Sequence, residues 1–191
     1  MTHNSVGEAA HKKRSTRPLQ SPGDVLSFWF GDTGVNASSL DDKQAFWWKK
    51  SDETDTQIAN RAVDLIAKLA SGQALKWAKK GPAERLAAIV ALDQFSRNIF
   101  RDTPAAFEND TLALSICKEG LSKGDDKVLS PVKRWFFYMP LEHSEDLSDQ
   151  EQCVGLMKEL VSIADDSFKP AMEGALDFAR QHRDVITKFG R

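Results

Sequence analysis

The stretch that decides the fold is Pro82-Ala83-Glu84-Arg85-Leu86-Ala87-Ala88-Ile89-Val90-Ala91-Leu92-Asp93-Gln94-Phe95-Ser96-Arg97-Asn98-Ile99-Phe100. Laid out at about 100° per residue, Leu86, Val90 and Phe100 fall near one line, and Ala88, Ile89, Leu92, Phe95 and Ile99 fill a neighbouring arc. Apolar surface then covers more than half of the circumference, which predicts a helix in the middle of a domain. Gly81-Pro82 supplies its start, with proline at the first helical position where no N–H is needed.

The same punctuation recurs along the chain. Ser21-Pro22-Gly23-Asp24 reads as a cap that opens a short helix through Val25, Leu26, Phe28, Trp29 and Phe30, closed near Gly31. A second short helix covers 40–48. Ser51 opens a long one whose Ile58, Ala62, Leu65, Ile66 and Leu69 recur at helical spacing until Gly72. Residues 75–79 form a short connection, and a helix over 111–123 stops at Gly124. Ser130-Pro131 starts an aromatic helix that Pro140 should end. Ser148 and Glu151 have the spacing of a capping box, behind which Cys153, Leu156, Met157, Leu160, Val161 and Ala164 share a face. A last helix runs over 169–188. Strand signals are nearly absent. The reading is an all-α domain of eight or nine helices over 21–191, in antiparallel pairs stacked as an array.

Composition bounds the function. A net charge of −2 offers no global field for nucleic acid. Residues 1–20 are a local exception, with Lys12, Lys13, Arg14 and Arg17 against Glu8, and read as a disordered basic tail. No run approaches the ~20 apolar residues of a membrane span, and Cys117 and Cys153, the two cysteines, sit in helical patterns. A cytoplasmic chain with reduced, buried thiols is expected, although spacing alone leaves a disulfide open. Trp47, Trp48 and Trp77 are expected to form an exposed patch through which the chain could oligomerise.

Three groups of residues carry chemistry. Asp93 and Arg97 lie four apart inside the apolar stripe, where each needs the other. Gln94, Asn98 and Arg101 form a separate polar line. Both lines suit either an internal packing network or one wall of a cleft. The second group is Pro140-Leu141-Glu142-His143-Ser144-Glu145-Asp146. It sets one histidine among carboxylates, the ingredients of acid/base work, with no metal-motif spacing, so no metal and no cofactor are expected. The third is His182, placed by periodicity on the buried face of the last helix. There it is either a bonded core residue or a partner of the other two groups. Phosphate loops, nucleophile elbows and zinc-protease motifs are all missing.

Asp24-Val25-Leu26-Ser27-Phe28-Trp29-Phe30-Gly31, Leu92-Asp93-Gln94-Phe95-Ser96-Arg97-Asn98-Ile99-Phe100-Arg101, Tyr138-Met139-Pro140-Leu141-Glu142-His143-Ser144-Glu145, Asp149-Gln150 and Phe189-Gly190-Arg191 together resemble the DUF924 family over residues 22–191. That resemblance implies a tetratricopeptide-like, right-handed superhelix of helix pairs and carries no activity, substrate or cofactor. The family pattern has proline where this chain has Ser96, and the loss should relax any kink there. It also continues past Phe-Gly-Arg, so a site that used the further segment would be incomplete in a chain ending at Arg191.

Two functions follow as expectations. The first is a binding module whose concave groove holds a peptide, a protein partner or a small anionic ligand. The alternative is a small-molecule enzyme of acid/base, hydrolase-like character with a pocket built from Asp93, Arg97, Glu142, His143 and His182, joined by Glu145. His143 would be its base. Arg97 or Arg101 would hold the anion, with Gln94, Asn98 and Arg134 as further ligand contacts.

Overall fold

In the computed structural model, which describes residues 17–190, Leu86, Ala87, Ala88, Ile89, Val90, Ala91, Leu92 and Phe95 are all fully buried. They belong to one rod made of α5 (Pro82–Ile89), a widened π-type turn (Val90–Phe95) and α6 (Ser96–Ile99). Around this rod pack α1 (Pro22–Phe30), α3 (Asp52–Lys68), α4 (Ala74–Ala78), α7 (Asp110–Lys123) and α8 (Pro131–Glu142). The described residues contain ten α-helical segments and no strand, and α5 and α6 are the two ends of the central rod. The short joins before α9 (Leu147–Ile163) and α10 (Lys169–Phe189) fold α8, α9 and α10 back on one another as successive packed pairs. The remaining segment, α2 (Leu40–Trp48), places Trp47 edge-to-face against Phe30 and Phe136 and at a tilt against Trp29, in one aromatic cluster.

Most starts and stops lie where the residues put them. Ser21 caps α1 in a reciprocal pair with Asp24, and Ser51 accepts the Thr54 N–H at the head of α3. Gly72, at φ 110°, breaks the path between α3 and α4, and Gly124, in the left-handed region, closes α7. Four readings need correction. Pro140 does not end α8: it lies buried in the last turn, and the helix runs on to Glu142 because packing on both sides outweighs one missing hydrogen bond. Ser148 is not the cap of α9. Asp146 is, its carboxylate accepting the Ser148 N–H at 2.7 Å. Trp47 and Trp77 are buried, leaving Trp48 as the exposed member of the expected patch. The run-up at 17–20 is docked at Leu19, with Arg17, Pro18 and Gln20 exposed around it. Leu19 is buried and its N–H donates to Arg61 O at 2.8 Å, while Lys12, Lys13 and Arg14 lie outside the described residues.

Cys117 and Cys153 are free, buried thiols, and burial pushes both up from the ordinary thiol range. Ser96 is an ordinary residue of α6, buried and accepting from Asn109 Nδ2 at 3.3 Å; the departure from straight helix persists just before it, in the widened turn.

Packing is tightest where α7 crosses the rod. A Cβ on Gly120 would stand 2.4 Å from Arg85 Cδ and 2.6 Å from Phe137 Cζ, and Arg85 is itself fixed by Asp125 and by Ile116 O, both at 2.8 Å. A Cβ on Gly155, in α9, would meet nothing within 4 Å. Gly120→Ala is therefore expected to cost about 1–3 kcal/mol through overpacking, read as a drop of roughly 2–4 °C in Tm per kcal/mol for a domain of this size. Gly155→Ala should match or exceed the wild-type Tm because alanine is the better helix former. Equal melting of the two variants would refute this account of the crossing.

Candidate functional site

Asp93 is the one buried carboxylate of the central rod, and its surroundings organise the site. It is fully buried. Its Oδ1 lies 2.8 Å from His143 Nδ1 and 3.1 Å from Arg97 Nη1, and Gln94 Nε2 donates to Oδ2. Burial alone would push this carboxyl up. The nearby His143, Arg97 and Gln94 outweigh that and hold it below the usual carboxylate range. The widened turn falls on Asp93, and Arg97 Nη1 donates to its backbone carbonyl at 3.2 Å, supplying a donor where the regular ladder is interrupted.

Against an ionised carboxylate, His143 Nδ1 is the donor. That leaves Nε2, which no described residue bonds, as the working edge of the ring. His143 follows the last residue of α8 as its C-cap, so the end of one helix delivers it and the middle of another orients it. Gln150, from α9, fixes this corner from behind: its Nε2 donates to Glu142 O and to Ser144 O, both at 2.6 Å. Ser144 Oγ donates to Asp149, which Lys118 also pairs, so that hydroxyl is a brace rather than an activated nucleophile.

A cleft of about 1120 Å³ opens between the start of α7, this corner and α10, and its walls include Arg97, Glu142, His143, Glu145, Gln150 and His182. The polar rod, the 142–146 corner and the last helix thus meet at one place. His182 is not on a buried face: its side chain is 44% exposed and looks into the cleft. Its Nδ1 donates to Phe178 O at 3.0 Å and lies 3.5 Å from Glu142 Oε1, and the two imidazole centroids are 6.3 Å apart. Burial pushes the Glu142 carboxyl up from its ordinary range, aided by the charge of Asp93 and opposed by His143 and His182.

The expected ligand cations fare differently. Arg97 borders the cleft, but Asp110 takes both of its terminal nitrogens, at 2.8 and 2.9 Å, on top of the Asp93 contact. Arg101 and Asn98 point away to α3, where both bond Asp55. Arg134 is on a different surface, held by Tyr138 and Glu159. Gln94 serves Asp93 internally. Asp110 and Phe178 were not among the residues singled out in the sequence, where each reads as an ordinary helix residue, and Gln150 entered only as part of the family resemblance. Among the described residues no group of three or more His, Cys, Asp or Glu has a metal-holding arrangement.

A family described as "Bacterial protein of unknown function (DUF924)" matches residues 25–191. Among solved structures, a protein of unknown function, ATU0120 from Agrobacterium tumefaciens, is similar with a TM-score of 0.71 and 29% identity, over 89% of this chain and 84% of that one. No curated protein matches.

The Asp93 pairing has a pH signature. A carboxyl held below its ordinary value of about 4 contributes stability above that pH and loses it as the pH falls through the lower folded value. Asp93→Asn should be less stable than wild type at pH 6, by about 3 kcal/mol for a broken buried pair. That gap should narrow as the pH drops below about 4, read by urea denaturation at several pH values. A gap that stays constant into strong acid would show that charge on Asp93 does not hold the site.

Proposed function

The chain belongs to the DUF924 family of bacterial proteins of unknown function, a membership that brings no activity with it, and from the geometry of the cleft we propose that it is a small-molecule acid/base enzyme. One observation carries the reading: a fully buried aspartate holds one nitrogen of His143 at 2.8 Å, while the ring lines a cleft and no described residue bonds its other nitrogen. A carboxylate in that position selects the tautomer, fixes the ring and stabilises the imidazolium that forms when Nε2 accepts a proton. His143 Nε2 takes that proton from the bound molecule or from a water attacking it. The imidazolium then returns it to the leaving atom or to the product.

The machinery points to proton transfer without a covalent intermediate. Both thiols are buried and pushed up in pKa, and Ser144 is turned toward Asp149. The cleft volume, about 1120 Å³, exceeds what a small metabolite needs and leaves room for water. A cytoplasmic setting is part of this proposal. It is supported by the two free thiols and by the lack, among the described residues, of any helix long and apolar enough to cross a membrane.

A second reading, a groove that docks a peptide or protein, draws on Phe107, Phe178 and Val185, which are exposed along the rim of the same cleft. Phe178→Glu should abolish such docking and leave proton transfer in place.

The enzyme reading is tested by screening His143→Ala and wild type against pooled small esters, amides and amines. The variant should melt below wild type, because Asp93 loses a partner, so turnover is compared at a temperature where both proteins are folded. The variant should turn over any substrate found for the wild type about 10²–10⁴-fold more slowly, the usual contribution of a general base. Undiminished turnover by His143→Ala would rule the mechanism out.

A further inference from the structure

Glu142 is the buried carboxylate in the cleft that has neither a hydrogen-bond donor nor a Lys or Arg beside it, and the Oε1 of Gln150, in the same lining, is buried without a partner. Its side chain is only 6% exposed, yet no described donor makes a hydrogen bond to its carboxylate. His182 Nδ1 stands 3.5 Å away and gives its proton to Phe178 O instead. A buried carboxyl without a donor is costly, and an added N–H group would relieve that cost.

The position of Glu142 says where that donor would come from. It stands in a wall common to the large cleft and to a second pocket of about 470 Å³, a volume typical of small-ligand sites. His143, Phe178 and His182 share the wall. The second pocket is lined by Trp48, Trp135 and Met139 on one side and by the small residues Ala171, Gly174 and Ala175 of α10 on the other. Trp48 lies flat on Phe136, with centroids 5.6 Å apart and planes 5° apart, and its ring centroid is 5.2 Å from that of Trp135. Trp48 thus offers a partly exposed indole face that is already fixed in place.

Charge selects the ligand further. Asp110, Glu142, Glu145 and Asp146 border the larger cleft and Asp93 lies behind it. Arg97 is the sole Lys or Arg among the described residues lining either pocket, and two carboxylates already engage it. An anion entering here would meet an uncompensated negative field, whereas a cation would be drawn in.

We propose that the ligand is an amine carrying a flat apolar arm. Its ammonium donates to Glu142 beside His143 and His182, and its arm lies against Trp48 and Trp135. The ammonium would keep Glu142 ionised and give it the hydrogen bonds it lacks, while the indole faces favour a cation and an aromatic arm alike. The inference rests on the acid/base reading only for what becomes of the amine, not for its capture.

Three isosteric probes test it: 2-phenylethylamine, 2-phenylethanol and phenylacetate, each titrated to about 10 mM, a range suited to ligands of so few atoms. Binding is followed by tryptophan fluorescence and by the shift in Tm. The amine should bind at least about tenfold more tightly than either other probe. Glu142→Gln should remove that preference and leave the alcohol unaffected. Gly174→Leu, where a Cβ meets nothing within 4 Å, should fill the second pocket and weaken the amine without lowering Tm. Trp48→Phe should lose most of the fluorescence response while the Tm shift persists. Equal or tighter binding of phenylacetate overturns the proposal, as does amine binding unchanged in Glu142→Gln. A null response to all three probes, with a wild-type Tm, also overturns it and leaves the cleft to a macromolecular partner. The two readings fail separately. Amine capture with no wild-type turnover of any amine sinks the acid/base reading alone. His143-dependent turnover of an uncharged or anionic substrate, without amine capture, sinks this inference alone.

Discussion

A carboxylate in the middle of an otherwise apolar rod has to be neutralised where it stands, and the structure around Asp93 follows from that constraint. Side chains on its own helix meet the need only in part: Arg97 reaches back one turn, and Gln94 caps the second oxygen. The remaining partner, His143, comes from fifty residues away, so α8 must end against the widened turn for the charge to be tolerated. Once α8 ends there, α9 has to leave at a fixed angle, and Gln150 pins the turn between them. α10 then folds back along α9 and α8 and closes the cleft. A single buried charge thus sets where three later helices go.

The same constraint shapes the field in the cleft. Arg97 could have been an anion-binding residue, but it is divided between Asp93 and Asp110, and the bidentate geometry with Asp110 leaves it rigid. With its charge taken up in this way, Arg97 answers Asp110 alone at the rim, and no other Lys or Arg lines the cleft beside Glu142, Glu145 and Asp146. Of the arginines expected to hold an anion, Arg97 alone borders the cleft, and its charge is already taken up. Arg101 and Asn98 show the other half of the effect: their bonds to Asp55 fasten α6 to α3, a joint of the scaffold.

What could be read from the residues divides along the range of the interactions. The central rod was legible because apolar periodicity is local, and so was the Asp93–Arg97 pair, which needs only a spacing of four. Ser21, Gly72 and Gly124 work as punctuation for the same reason. The misplacements came where tertiary contact overrides a local rule. Pro140 fails to stop α8 because the helix end is buried on both sides, and Trp77 is covered because its helix packs on the rod. His182 sits at the edge of the arc that defines the buried face of α10, and a small rotation there separates core from cleft. The Asp93–His143 contact has no sequence signature at all, since nothing in either neighbourhood names its partner fifty positions away. Arg134 was a candidate only as a cation able to hold an anion; it is eight residues before Glu142 on the same helix and bonds Glu159 on α9.

Energetics bears on why such an arrangement is kept. A buried ionic cluster is seldom the most stable filling for a core, and replacing it with apolar side chains of similar volume is often neutral or stabilising. From Leu86 to Leu92 the filling of this rod is wholly apolar. Polar filling returns at Asp93, where the helix widens and the cleft opens, and Asp93 itself is satisfied on the core side. What lacks a described hydrogen-bond partner lies around the cleft: Nε2 of His143, the carboxylate of Glu142 and the Oε1 of Gln150. A network built only to hold helices in register would close on itself, as Arg85 does with Asp125, Glu119 and Ile116 O. This one closes behind and stays open in front, so its unsatisfied edge is where a ligand would complete it.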